Sequence, residues 1–270
     1  MTDGRRRTSA SGRLARFGFA DPRRAERLLA DPALAGLVDP LEDVFDDGLL
    51  QAIRQTADPD QALLGLARFM EQVNEPSFPA TDRAGLVGDL LAGGRLRDRL
   101  LAVLGASPAL TDHVVRHPEH WAALEEDAPA GADIVRDRLL SSVGADPAAR
   151  VPVAAGSTED AYDRLRVAYH RQLLGVAGRD LAASDPAADV DDVSRQIADL
   201  ASAALEAALA IARCELPDHG RDCRLAVIGM GKCGGRELNY VSDVDVIYVA
   251  EPCEGADETA ALAVGARLAA

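Results

Sequence analysis

The chain is almost without lysine. Lys232 is the only one among 270 residues, and every other basic residue apart from histidine is arginine. Aromatics make up only 4% of the chain, and its four cysteines, Cys214, Cys223, Cys233 and Cys253, form no C-x-x-C pair. Without that spacing they supply neither a zinc ligand set nor a disulfide framework, and they read as reduced, structural thiols. No apolar run approaches the roughly 18 residues of a membrane span, and no charged-then-apolar signal precedes a cleavage site at the N-terminus. The expectation is a cytoplasmic protein with no membrane partner. Basic residues are also outnumbered, 29 Lys and Arg against 44 Asp and Glu, for a net charge of -15. A phosphate backbone selects basic faces, so nucleic acid is excluded as a partner, while a single nucleotide held through a metal ion is not.

What is present favours helix. Hydrophobic residues make up 48% of the chain, enough for one large or two smaller cores, and alanine, leucine and arginine, all good helix formers, are abundant. Residues 1–14 are polar, with Arg5, Arg6 and Arg7 beside Ser9 and Ser11, and read as a loose tail. From Asp21 a helical period runs through Leu28, Leu29, Leu34 and Leu37, then Leu49 to Ile53, Leu63 to Phe69 and Leu86 to Leu104, punctuated by Pro32, Pro40, Pro59, Pro76 and Pro79. No constant repeat emerges, so the reading is a helical bundle over residues 15–150. Ala128 to Ala132 and Gly144 to Gly156 are both rich in Ala, Gly and Pro, and the second is the expected boundary to a further region, 151–270.

That region opens with two long helices. Ser157 or Thr158 caps the first, whose stripe is Tyr162, Leu165, Tyr169, Leu173 and Val176. The second follows Asp191 with Val193, Ile197, Leu200, Ala204, Ala208 and Ile211, and stops before Pro217 and Gly220. Then the period changes. Arg224 to Ile228 and Val244 to Val249 read as two strands, joined by a glycine turn and a short helix through Arg236-Glu-Leu-Asn-Tyr240. The fold class expected is therefore mainly α with a small α/β portion.

The chemistry-bearing residues sit in that last segment. Asp243 and Asp245 are one residue apart, so on a strand their carboxylates share a face, roughly 6.5 Å apart along the backbone. Such a pair suits Mg²⁺, which takes one or two carboxylates and fills its shell with water and phosphate oxygens. Alone, the pair reads first as a turn cap at Asp243 and a strand-edge charge at Asp245. Gly234 and Gly235, just upstream, raise the chemical reading, because missing side chains let a phosphate approach the backbone. Lys232, Arg236 and Ser242 are positioned in sequence to assist its oxygens.

Other readings compete. Gly229-x-Gly231-x-x-Gly234 follows a strand and Glu251 ends the next, which is literally a dinucleotide-binding fingerprint. The intervening helix is too short for it, its face lacks small residues, and acids interrupt the second strand where a parallel sheet requires apolar residues. A P-loop fails because Cys233 stands where Ser or Thr binds Mg²⁺. His113, His117 and His120 have metal-like spacing, but Pro118 breaks the helix between them, and beside Trp121 they read as a helix end. A purely helical docking or regulatory module is the remaining alternative.

The stretch Gly229-Met-Gly-Lys-Cys-Gly-Gly-Arg-Glu-Leu-Asn-Tyr-Val-Ser-Asp-Val-Asp-Val-Ile-Tyr-Val249 resembles the signature of the glutamine synthetase adenylyltransferase and adenylyl-removing enzymes. Val103 to Leu110, Arg116-His-Pro118 and the segment from Arg164 to Asp180 resemble the N-terminal half of the same family in its actinobacterial form. The resemblance implies a nucleotidyltransferase fold of the DNA polymerase β type, entered from the helical bundle. Gly234 and Gly235 match its glycine pair, and Asp243 and Asp245 its first two metal carboxylates. It implies a multifunctional, ATP-binding transferase of nitrogen metabolism, in which one domain removes AMP from a tyrosine of glutamine synthetase by phosphorolysis to ADP. A second domain attaches AMP from ATP. Mg²⁺ is the implied cofactor, and glutamine synthetase and a PII-type signal protein are the implied partners. Residues 151–270 match the start of the removing domain, with its leading helices and first two strands. Cys233 replaces a usual leucine, and the family's third carboxylate has no counterpart before Ala270, so the expectation is a truncated fragment that is inactive alone.

Overall fold

Many helices here begin where an aspartate or serine precedes a proline. The side-chain oxygen accepts an otherwise orphaned amide of the first turn, and proline at the first helical position lacks only a donor with no partner there. A computed structural model of the chain describes residues 10–38 and 48–269. The described residues form two compact units, one reaching to Glu126 with Ala177–Ser184 added, the other holding Asp127–Val176 and the residues from Asp185 on.

The first unit contains α1 (Ala10–Arg16), α2 (Pro22–Leu29), α3 (Gly48–Arg54), α4 (Pro59–Val73), α5 (Ala80–Ala92), α6 (Arg95–Ala106) and α7 (Pro108–Arg116). Asp21, Asp58 and Ser107 cap α2, α4 and α7, accepting the amides of Arg24, Gln61 and Leu110. Several prolines read as interruptions from sequence are therefore starts. The loose tail expected over residues 1–14 is corrected at its end, where Ala10 to Leu14 belong to α1. Leu14 is fully buried, and Ser11 Oγ donates to Glu26 Oε2 at 2.7 Å, which anchors that helix. Arg5, Arg6, Arg7, Ser9 and Pro40 lie outside the described residues. Leu63, Leu66, Phe69 and Met70 of α4 form the centre of this core with Leu100, Leu104 and Val114. Gly65 permits the approach, since a Cβ there would meet Leu104 and Thr111 at 3.1 Å. The three histidines gather where α7 ends, with His113 Nε2 and His120 Nδ1 3.0 Å apart.

The second unit is built on α8 (Ala132–Ser142), α9 (Thr158–Leu181) and α10 (Pro186–Cys214), although the last residues of α9 are counted with the first. Ser157 caps α9, its Oγ accepting the Asp160 amide at 3.2 Å and donating to Asp160 Oδ2 at 2.6 Å. In the stripe read from sequence, Tyr162 is instead exposed and its neighbour Ala161 takes the buried place. α10 starts earlier than expected, at Pro186 rather than after Asp191, because Asp185 caps it through the Ala188 amide. Leu139, Leu140, Ala161, Leu165, Leu200, Ala207 and Ile211 close the core. Arg136 of α8 is held by both carboxylate oxygens of Glu206 on α10, at 2.8 and 2.6 Å.

The segment from Gly144 to Gly156 lies inside this unit. Ala145 and Ala154 are buried, and the Ala154 amide donates to the Ala210 carbonyl at 2.9 Å. The division between units falls instead at Glu126 and Asp127, next to the other Ala, Gly and Pro-rich stretch.

After α10 the chain forms β1 (Cys223–Gly229), α11 (Gly231–Gly234), β2 (Val246–Pro252) and α12 (Glu258–Leu268). The two strands pair antiparallel, from Cys223 opposite Pro252 to Gly229 opposite Val246. α12 packs on this hairpin at Gly265, where a Cβ would sit 2.7 Å from Ala250 Cβ and 3.0 Å from Cys223 Sγ. Its alanine-rich sequence carries little periodic signal, which is why sequence reading passes over it. On the other face of the hairpin Ile228, Ile247 and Val249 are exposed. The class expected from sequence, mainly α with a small α/β part, is the class observed. No described helix is long and apolar enough to cross a membrane.

Candidate functional site

An antiparallel ladder places the end of β1 beside the start of β2, and this brings the glycine turn to the aspartates. The Met230 amide donates to the Asp245 carbonyl at 2.8 Å, continuing the pairing one step beyond Gly229 and Val246. β2 begins at Val246 rather than Val244, so Asp243 and Asp245 lie in the extended segment before the strand. Both are exposed, as acids at a strand entrance must be to keep their hydration. Asp245 Oδ2 is turned toward Gly231, where a Cβ would lie 3.9 Å away. The antiparallel register also excludes the dinucleotide reading of Gly229-x-Gly231-x-x-Gly234, which requires parallel strands.

The short helix lies over the glycine segment and not over Arg236 to Tyr240. α11 takes Gly231 to Gly234, and Gly235 follows as its cap. Glycine is required at two of these positions for different reasons. Gly231 has φ +51°, in the left-handed region. At Gly234 a Cβ would fall 2.2 Å from the Gly229 carbonyl oxygen, so no side chain fits between the turn and β1. Arg236 then turns left-handed at φ +58°, which ends any helical continuation. Its amide donates to the Cys233 carbonyl at 3.1 Å, and the Glu237 amide to the Lys232 carbonyl at 2.8 Å.

The turn is seated by its apolar residues. Cys233 and Leu238 are buried against Val176, Ile197, Ala198 and Ala201, with Tyr240 packed alongside. Burial pushes the Cys233 thiol above its ordinary range, so it stays neutral and fills space. Lys232 is exposed and its Nζ donates to Asn239 Oδ1 at 3.3 Å. Arg236 Nη2 donates to both Asp199 oxygens at 2.6 Å, so its guanidinium is engaged by α10. Ser242 is half-buried just before Asp243. The structure thus brings the start of the glycine turn to Asp245 at one end of the hairpin, with Asp243 two residues before it.

Sequence reasoning missed Asp199. A signal for it exists, because Asp199 and Glu206 are the only acids between Ala198 and Cys214, and both bind an arginine. A charge in an alanine-rich helix face that packs a core needs such a partner.

Two exposed carboxylates beside a turn with no room for side chains form a donor set of oxygens alone, which fits a hard divalent cation that retains water. Among the described residues no group of three His, Cys, Asp or Glu side chains gathers to hold a metal by itself. The remaining ligands of a cation here would come from water and from a phosphate group. The fold and the site together define a mainly α chain whose antiparallel hairpin presents exposed carboxylates beside a tight glycine turn.

Residues 97–270 match the family described as Glutamate-ammonia ligase adenylyltransferase, and the chain belongs to that family. It is similar to the bifunctional glutamine synthetase adenylyltransferase/adenylyl-removing enzyme of Streptomyces avermitilis, 47% identical over 270 residues, all of this chain and 24% of the relative. The protein of the same name from Streptomyces coelicolor is 46% identical over 274 residues, again covering all of this chain and 25% of the relative. That from Mycobacterium tuberculosis is 39% identical over 241 residues, 87% of this chain and 22% of the relative. The chain spans about a quarter of the length of the curated relatives it matches.

Proposed function

We propose that this chain contributes the phosphate-handling corner of the domain that removes AMP from a tyrosine of glutamine synthetase. One observation carries the reading. The bond from the Met230 amide to the Asp245 carbonyl fixes the glycine turn beside the carboxylates, so one phosphate group can meet both. The relatives' names supply the reaction, and the likeness of Val103 to Leu110, Arg116-His-Pro118 and Arg164 to Asp180 to the family's N-terminal half supports reading this part as the removing domain. Attachment of AMP from ATP belongs, on the same reading, to a second domain elsewhere in the complete protein. A PII-type signal protein and a cytoplasmic setting complete the proposal.

The chain's own residues would act by placement. Asp243 and Asp245 would hold Mg²⁺, which when bound neutralises charge developing on phosphoryl oxygens. Gly234 and Gly235 keep the turn tight enough to form one wall of a site for inorganic phosphate, and Lys232 offers a compact ammonium to its oxygens. A phosphate oxygen then forms a bond to the phosphorus of AMP-tyrosine as the bond from that phosphorus to the tyrosyl oxygen breaks. ADP leaves, and the tyrosyl oxygen takes up a proton.

Asp245→Asn and Asp243→Asn in the complete gene product test this. Each keeps the shape and removes the charge, so phosphate-dependent ADP release from adenylylated glutamine synthetase should fall by more than the roughly 10- to 100-fold of residues behind a metal ligand. ATP-dependent adenylylation, assayed in parallel, should persist. Normal removal in both variants would sink the assignment of the aspartates. Loss of both activities, with the protein still folded, would sink the division of labour.

A further inference from the structure

Arg236 occupies a backbone conformation that a non-glycine side chain resists, and something must hold it there. Asp199 does so from α10, with both oxygens 2.6 Å from Arg236 Nη2. The aspartate is only 20% exposed while the arginine is 52% exposed, so the acid is the fixed partner and the guanidinium is drawn to it. Ile197, Ala198 and Ala201 of the same helix seat Cys233 and Leu238 on either side of Arg236. α10 therefore grips this loop by one ion pair and two apolar contacts.

The loop is the connection that matters chemically. Residues 236–241 join the glycine turn to Ser242 and Asp243, and both ends of the connection are left-handed non-glycine residues, Arg236 at φ +58° and Val241 at φ +53°. Val241 is β-branched and fully exposed, so this second unfavourable turn has no packing of its own to hold it. Strained backbone of this kind persists when its surroundings over-determine it, and it gathers at functional sites. Rotating Arg236 out of its turn would shift Gly235, the end of the glycine turn that the bond from Met230 to Asp245 does not hold.

We propose that Asp199 is a positioning residue for this site. It pins Arg236 in the left-handed turn, and so sets where the far end of the glycine turn, Gly234 and Gly235, stands relative to Asp243 and Asp245. The inference deepens the proposed function, since those two groups are the ones assigned there to phosphate and cation.

The test uses Asp199→Ala and Asp199→Asn in the complete gene product, with Arg236→Ala and the double variant, assayed for phosphate-dependent ADP release. Misplacing a phosphate cradle by about 1 Å can cost on the order of 100-fold. The expected result is a KM for inorganic phosphate raised about 10- to 100-fold in Asp199→Ala and less in Asp199→Asn, with half-saturation by Mg²⁺ unchanged. The effect of Asp199→Ala should vanish in the Arg236→Ala background, because the acid acts through the arginine. A merely structural role would lower the folded fraction and leave KM where it is, and that result overturns the proposal. So does a lowered KM, which would mean that Asp199 withholds Arg236 from phosphate. Asp245→Asn run alongside separates the two readings, since normal activity there sinks the proposed function and says nothing against Asp199. Independently of any activity, the amide resonances of Gly231, Gly234 and Gly235 in the 270-residue chain should shift in Asp199→Ala and Asp199→Asn. Unchanged resonances overturn the positioning role.

Discussion

Glycine at position 234 is required by contact and not by φ, and this separates it from most glycines in the chain. A Cβ there would overlap the Gly229 carbonyl oxygen at 2.2 Å, whereas a Cβ on Gly88 of α5 would meet nothing within 4 Å. The same substitution should therefore have opposite signs. Gly234→Ala must push α11 away from β1 and is expected to destabilise the second unit by about 1–3 kcal/mol, the range for forced overpacking. Gly88→Ala is expected to stabilise by about 0.5–1 kcal/mol, the helix-interior preference for alanine. Urea unfolding midpoints of the two variants decide it, and a neutral Gly234→Ala would show that the turn has slack.

At the scale of elements, capping accounts for where helices start, and hydrophobic stripes account for where they pack. α10 shows both. Asp185 accepts the Ala188 amide ahead of Pro186, while Ile197, Ala198 and Ala201 seat the turn and Leu200, Ala207 and Ile211 face α8 and α9. Asp185→Ala should cost about 1 kcal/mol in unfolding free energy, and Asp185→Ser should restore most of it, since serine caps nearly as well. Because the cap is far along the helix from Asp199, the KM for phosphate should not move. The hairpin is held differently, by α12 on one face through the close approach at Gly265, with Ile228, Ile247 and Val249 left exposed on the other.

For the molecule as a whole, the acidic groups displaced by burial all move the same way. Desolvation raises the Tyr169, Cys223 and Cys233 side chains above their ordinary ranges. As pH rises through the ordinary thiol range, the unfolded chain loses these protons first, so the folded state binds more and stability falls with pH. Below that range the three groups are neutral in both states and contribute no slope. The thermal midpoint of the chain should therefore drop between about pH 8 and 10, and Cys223→Ala with Cys233→Ala should flatten the drop. A midpoint that is level across this range, or equally steep in the double variant, would show that the two thiols are not coupled to folding.

The sequence alone was enough to assign the class and the two long helices of the second unit, and to nominate residues for the candidate site. These depend on composition, on an apolar period and on glycines and acids a few positions apart, all of which act over one or two helical turns. Tertiary structure decided the rest. The antiparallel pairing, the start of β2 after Asp245 and the seating of α12 depend on which backbones can approach, and Gly234 and Gly265 matter only against partners brought to them by folding. Asp199 and Arg236 stand 37 residues apart, with nothing in either neighbourhood to name the other. An ion pair across that separation exists only once α10 has packed beside the turn, because Coulomb attraction in water is too short-ranged to select a partner along an unfolded chain.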